Sequence, residues 1–230
     1  GYAEYVVANK DHCLKIPKGV TKIDAGGLPE TYFTVWSNLF FQQSIKPGAN
    51  LLIHGGSGGI GSTAIQIGNA LGLNVFATAD SDSSCKYCID LGAKQAINFK
   101  NEDFVTILRD VGGADIILDI IGGDYISRNI KASRHDARII QLAFNQGSKV
   151  TIDLMPIMLK RLQLTGSTLR SRSDTYKAEI ATDLSNKIWP LFGNKKIKST
   201  TYKTFKLSDV VNAHQLMESG THRGKILLKI

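Results

Sequence analysis

Cysteine is scarce: three residues in 230, an odd number that supports no disulfide framework and points to a reducing compartment, the cytoplasm. Long apolar runs are missing too. The greasiest stretch, Ala114 to Ile121, is interrupted by Asp115 and Asp119, far short of the ~20 residues a membrane-spanning helix needs. Residues Gly1 to Tyr5 carry neither a basic patch nor an apolar segment, so no secretory leader is legible there. Acidic residues are outnumbered, 20 against 28 Lys and Arg, for a net charge of +8. Those cations are spread along the chain, so nucleic acid is not expected as a partner. The densest group, Lys195, Lys196, Lys198, Lys203 and Lys206, is expected to be a solvated face. His12, His135, His214 and His222 have no partner at metal-ligand spacing, and the Cys85/Cys88 pair has no second pair to complete a tetrahedron. Packing is therefore the expected role of both cysteines. The run that comes nearest to a G-x-S-x-G nucleophile elbow, around Gly56-Ser57-Gly58, has its serine inside a glycine loop, so no nucleophilic serine is expected.

What remains is an ordinary globular composition, 43% hydrophobic and 21% charged, long enough for one large or two modest domains. The middle of the chain alternates strand-length apolar runs with helical periodicities. Strands are expected at Leu51–His54, Val75–Thr78, Gln95–Asn98, Ile116–Asp119, Arg138–Ala143 and Leu162–Thr165, with helices near 60–71, 82–91, 101–110, 124–132 and 153–161. Six strands joined by five crossovers predict an α/β fold: a doubly wound, parallel, six-stranded Rossmann sheet. On the flanks, residues 2–17 alternate like β structure up to a turn at Pro17-Lys18-Gly19. A helix is expected from Pro29 to Gln43, another over 174–192, a strand near Thr200–Phe205, a helix near Ser208–Ser219 and a last strand at Lys225–Ile230.

One motif carries chemistry. Gly56-Ser57-Gly58-Gly59-Ile60-Gly61 follows an expected strand and opens an expected helix, the context that turns a weak G-x-G-x-x-G pattern into a dinucleotide fingerprint. Gly56 would permit the tight turn, Gly58 the approach of a pyrophosphate, and Gly61 the packing of helix on strand. The helix start then offers free N–H groups and a positive dipole end to phosphates. Asp80 lies 19 residues after Gly61, where a carboxylate accepts hydrogen bonds from the adenosine ribose and repels a 2′-phosphate. If Asp80 points into the site, NAD is the cofactor; if it points to solvent, Ser81, Ser84 and Lys86 can hold a phosphate. His54, just before the loop, is expected to pack and not to act as an acid or base.

The stretch His54-Gly-Gly-Ser-Gly-Gly-Ile-Gly61 resembles the H-G-x-x-G-G-V-G loop of the zinc-independent quinone oxidoreductases (zeta-crystallin-like) of the medium-chain dehydrogenase/reductase superfamily. Further segments resemble the same family: Pro29 to Trp36, Asp90-Leu-Gly-Ala93, Asp119-Ile-Ile-Gly-Gly123, Gly166-Ser-Thr-Leu-Arg-Ser-Arg172 and Gly224-Lys-Ile-Leu-Leu228. The resemblance implies zinc-independent, NAD(P)H-dependent reduction of quinones or activated alkenes (enones) by a homodimer. NADPH is preferred in the family, and NADH is possible. It further implies that Ser57, Gly58, Gly59 and Ile60 hold the pyrophosphate, and that Asp80, Ser81, Ser84 and Phe99 surround the adenosine. Thr34, Ala143, Phe144, Leu169 and Arg170 would flank the nicotinamide, with Lys225 reaching the cofactor from the last strand. A 2-enoyl thioester reductase, or a non-catalytic protein that binds NADPH or RNA, is the alternative.

Two departures bear on the cofactor. The family's lysine for the 2′-phosphate is replaced by the run Asp80-Ser-Asp-Ser-Ser84, and its adenosine-pocket tyrosine by Phe99. Family members also begin with roughly a hundred further residues, most of a GroES-like catalytic domain that carries the substrate-facing tyrosine. Residues 1–28 and 171–230 are accordingly expected to be remnants of that domain around a Rossmann domain at 29–170. The catalytic residue is left unassigned.

Overall fold

The computed structural model describes residues 2–230. In chain order the elements are α1 (Lys22–Ala25), α2 (Leu28–Val35), β1 (Asn50–Ile53), α3 (Gly59–Ala70), β2 (Asn74–Ala79), α4 (Asp82–Asp90), β3 (Gln95–Asn98), α5 (Phe104–Asp110), β4 (Ala114–Asp119), α6 (Tyr125–Ala132), β5 (Ser133–Gln141), α7 (Met155–Lys160), β6 (Gln163–Gly166), α8 (Asp174–Asp183), α9 (Trp189–Gly193), β7 (Thr201–Lys206), α10 (Val210–Glu218) and β8 (Lys225–Lys229).

The first six strands form one parallel sheet in the order β3-β2-β1-β4-β5-β6. Successive strand residues face opposite ways, and both faces are apolar. Leu51, Ile53, Val75, Ala77, Ile116 and Leu118 pack with α2 and α3 on one side, while Leu52, Phe76, Ile117 and Ile139 pack with α5 and α6 on the other. Burial on both faces explains why these strands are continuous apolar runs and not alternating ones. The chain reverses its winding between β1 and β4, so the carboxyl ends of those neighbours open a crevice at the switch point. The expected six-stranded Rossmann sheet is the observed one.

β7 and β8 form a separate parallel pair joined through α10. This pair is stapled to the main sheet's α3. The Gln66 side chain donates to the Lys198 carbonyl at 3.1 Å and accepts the Lys198 N–H at 2.8 Å, while Ser62 donates to Thr200.

Three expectations for the flanks need correction. Residues 2–17 form no strand; their only regular piece is a single 3-10 turn at Lys10–His12. Alternation makes a strand only beside a partner edge, and none runs along this segment among the described residues. It is held instead by side chains of the C-terminal part: His214 bonds Tyr2, and Trp189 donates to the Lys15 carbonyl at 2.8 Å. The helix expected to reach Gln43 stays α-helical only to Val35, passes into a π-helical turn at Trp36–Phe40 and stops at Phe41, before Gln42 turns left-handed. The helix expected over 174–192 contains a second π-helical turn at Leu184–Ile188, ahead of Pro190, which has no N–H for a regular i−4 bond. The two irregular turns meet where the Trp36 indole donates to Asp183 at 2.8 Å.

Candidate functional site

The chain leaves β1 through His54 and Gly55 and re-enters regular structure at Gly59, the start of α3. Gly55, with φ 69°, takes the left-handed step. The tight turn was expected at Gly56; the structure gives Gly56 a different constraint. Its N–H donates to the Thr78 carbonyl, and a Cβ there would lie 2.7 Å from Ala77 and 2.9 Å from the Cys88 sulfur. Gly61 is needed for close packing, but against the loop itself: a Cβ would strike the Gly55 carbonyl and the Gly56 backbone. At Gly58 a Cβ would make only an ordinary contact, 3.5 Å from the Gly55 carbonyl. The first N–H inside the helix to be used is that of Ser62, which donates to the Gly58 carbonyl at 2.9 Å. The N–H groups of Ile60 and Gly61 find no backbone acceptor among the described residues, whereas that of Gly59 faces the Gly224 carbonyl across the parallel Gly58–Gly224 bridge. Those of Ile60 and Gly61 therefore stand free at the positive end of α3.

Beneath the loop lies a buried polar chain that the sequence did not reveal. Asp119 accepts from the Ile121 and Gly122 N–H groups, and its other oxygen from Asn129 Nδ2 at 2.9 Å. That fixes the amide, so Asn129 Oδ1 faces His54 Nε2 at 2.8 Å as an acceptor. His54 Nδ1 then accepts from Thr78 Oγ at 3.0 Å, and the same Thr78 oxygen receives the Gly55 N–H. His54 is buried between Phe104 and Tyr125. Burial lowers its pKa, against an opposing pull from Asp119. The imidazole is a neutral strut, as expected of a packing residue.

The end of β2 bears the expected adenosine-side residues. Asp80 is half-buried, and Phe99 is 41% exposed at the end of neighbouring β3. Ser81 caps α4: its hydroxyl receives the Ser84 N–H and bonds the Ser84 hydroxyl and Asp80. Lys86 does not reach this group. Its ammonium pairs with Asp90 at 3.3 Å, one turn further along α4, where the i,i+4 geometry draws it. Arg223, which the sequence reading passed over, arrives instead and donates to Ser83 at 2.7 Å. The signal for it was an Arg-Gly-Lys triplet directly before a strand. Cys85 and Cys88 lie behind, held as thiols by burial, Cys88 raised to about 12. With no third ligand nearby, they are packing residues, as expected.

Lys225 arrives from β8 as expected. Its methylenes cross Gly59, where a Cβ would meet Cδ at 2.6 Å, and its ammonium pairs with Glu30 at 3.0 Å. The backbone beside it is fixed, because the Gly224 N–H donates to the Ser57 carbonyl at 2.8 Å. The remaining predicted residues fall into two adjoining clefts. Thr34, Leu169 and Arg170 line one of about 460 Å³ with Phe33 and His12. Phe144 lines the other with Leu142 and Thr168. Ala143 sits between, its carbonyl held by Gln141. Among the described residues no three His, Cys, Asp or Glu side chains converge at metal-binding range.

The sequence model of the zinc-binding dehydrogenase family matches residues 59–184, more than half of the chain. Human quinone oxidoreductase is 31% identical over 176 residues, which are 74% of this chain and 52% of that one. The chain spans about half the length of the curated quinone oxidoreductases it matches. A solved NAD-dependent alcohol dehydrogenase superposes with TM-score 0.86 at 27% identity, over 100% of this chain and 65% of its own. A quinone oxidoreductase from Thermus thermophilus, whose complex with NADPH was also solved, gives 0.87 over 100% and 74%; at 22% identity the likeness is one of fold. The family model runs from the start of α3 through α8, over half of the chain: the chain belongs to the zinc-binding dehydrogenase family and is similar to its quinone oxidoreductases.

Proposed function

We propose that this chain is the cofactor-binding part of a zinc-independent NADPH-dependent reductase of quinones or activated alkenes. The observation that carries the reading is the pair of free N–H groups at Ile60 and Gly61, with the Lys225 side chain laid over neighbouring Gly59. Free amides at a helix start plus a cation fit a pyrophosphate, and the missing side chain at Gly58 lets it come close. Bound NADPH would supply a hydride from its nicotinamide. The chain's own residues bind, orient and exclude water. Gly56 to Gly61 hold the pyrophosphate, Phe99 offers a flat apolar face to the adenine, and Asp80, Ser81 and Ser84 face the ribose. Thr34, Leu169 and Arg170 on one side and Ala143 and Phe144 on the other enclose the nicotinamide end. Residues 29–170 form the dinucleotide-binding domain, and 1–28 and 171–230 belong to the catalytic domain.

A homodimer is part of this proposal. β6 is an edge strand exposed at every residue, and Met155, Met158 and Leu159 of the adjacent α7 are 60% or more exposed. An uncovered strand edge beside an apolar patch fits a second copy of the chain. No helix is long and apolar enough to cross a membrane. Cys13, Cys85 and Cys88 are all unpaired, which agrees with a cytoplasmic location.

The test is titration of the chain with NADPH and NADH, followed by turnover of a quinone by the full-length protein. Binding of neither dinucleotide sinks the site; binding without turnover of any quinone or enone sinks the reaction.

A further inference from the structure

Gly224, with φ 70°, is locked to the phosphate loop through Ser57, so the residues on either side of it are aimed from a fixed point. Lys225 goes to Gly59 and Glu30. Arg223 goes the other way, to the first turn of α4, where it donates to the Ser83 hydroxyl. It lies near enough to Tyr87 and Cys88 to oppose the burial that raises both. From the end of β2, Asp80 accepts from the Ser81 hydroxyl at 3.3 Å, and that hydroxyl lies 3.3 Å from the Ser83 hydroxyl that Arg223 holds. Arg223 and Asp80 thus flank one spot, yet neither has an ion-pair partner within 4.0 Å among the described residues. Arg223 Nε is buried with no partner there either. A guanidinium with a spare inward N–H is short of an anion, and its flat fork suits phosphate oxygens.

We infer that Arg223 is the residue that recognises the 2′-phosphate of NADPH, in the place Lys86 was expected to fill, and that Asp80 opposes it. The inference rests on the cofactor reading above. Cofactor preference is then a difference between two charges: Arg223 draws the 2′-phosphate in, and Asp80 repels it while accepting from the free ribose hydroxyls of NADH. Both serines that approach the spot already serve the α4 cap or Arg223 itself. The arginine is therefore the one cation positioned to decide the outcome.

The test is calorimetric titration of the chain with adenosine 2′,5′-bisphosphate and with AMP, which differ only in the 2′-phosphate, alongside NADPH and NADH. The native chain is expected to favour the bisphosphate over AMP. Arg223→Gln should weaken the bisphosphate and NADPH about 10- to 100-fold, the range of a charge-assisted phosphate contact, and leave AMP and NADH within about twofold. Arg223→Lys should restore part of the loss, and Asp80→Asn should strengthen the bisphosphate against AMP. A native chain with no preference between the two fragments overturns the inference. So does an Arg223→Gln chain that weakens both fragments equally, the mark of an arginine that only braces α4. If Arg223→Gln does not fold, Arg223→Lys and Asp80→Asn carry the decision, and unchanged selectivity in both overturns the inference. A native chain that binds neither fragment nor either dinucleotide removes the cofactor reading itself.

Discussion

His54 Nε2 lies 2.8 Å from Asn129 Oδ1, and because the other end of that amide is committed to Asp119, the imidazole carries its proton on Nε2 and none on Nδ1. The ring has no acceptor for a second proton, since Thr78 Oγ already donates to Nδ1 in this arrangement. Burial depresses the folded-state pKa accordingly.

Stability should therefore fall on acidification. The unfolded chain protonates His54 near its ordinary value of about 6.5 while the folded chain does not, so below that pH the unfolded state binds more protons. The slope attributable to this residue is bounded by one proton, about 1.4 kcal/mol per pH unit, and fades as pH rises past 7. Urea midpoints measured across pH 5–7.5 check it: His54→Gln should flatten the curve, and an unchanged slope would show that His54 accepts its proton in place.

Gly58 and Gly61 should separate binding from folding. Gly61→Ala drives a methyl into the Gly55–Gly56 backbone and should cost about 1–3 kcal/mol of stability together with cofactor binding. Gly58→Ala makes only an ordinary contact with the Gly55 carbonyl, 3.5 Å away, at an ordinary φ of −76° and should leave the melting temperature nearly unchanged. It should still weaken NADPH, because the methyl occupies ground the pyrophosphate needs. Melting curves and cofactor titration of the two variants form the check.

Gly224→Ala combines a left-handed backbone with a collision against the Thr200 carbonyl. A loss of about 1–3 kcal/mol is expected. Hydrogen exchange should quicken at Lys225 and Ser62 first, because the bridge to the phosphate loop and the Ser62–Thr200 contact open together.

Beside the sheet edge, Met158→Asp in the exposed apolar patch of α7 should abolish any dimer that forms through β6 and α7 while leaving NADPH affinity unchanged. Sedimentation of the native and variant chains decides it; an equally associated variant places the interface elsewhere.

Legibility followed the length scale of the cause. The sheet could be read because runs such as Leu51–Ile53 and Ile116–Leu118 announce burial on both faces, and five of the six expected strands match the observed ones to within two residues. The fifth is the exception: β5 starts at Ser133, five residues early, and its left-handed Asp136 accommodates a register shift that periodicity does not show. Gly61 was legible because a helix that starts in a tight loop has no room for a side chain. Lys86 misled because position along α4 says nothing of direction, and Asp90 one turn away captured it. Arg223 was illegible for the opposite reason. It meets Ser83 across 140 residues of sequence, and only the Gly224–Ser57 contact explains why it arrives. The β-like alternation of residues 2–17 was real, but a strand is a property of a pair.

The Gly224–Ser57 bond also sets an order in time. On a ribosome, residue 57 emerges long before residue 224, by roughly ten to thirty seconds at ordinary rates of synthesis. Through that interval the β1–α3 turn can form from local contacts, yet it lacks the Gly224 brace, Lys225 and Arg223. A nascent chain should therefore acquire its sheet well before its affinity for a dinucleotide, so that the cofactor is captured only after Arg223, Gly224 and Lys225 have joined the loop.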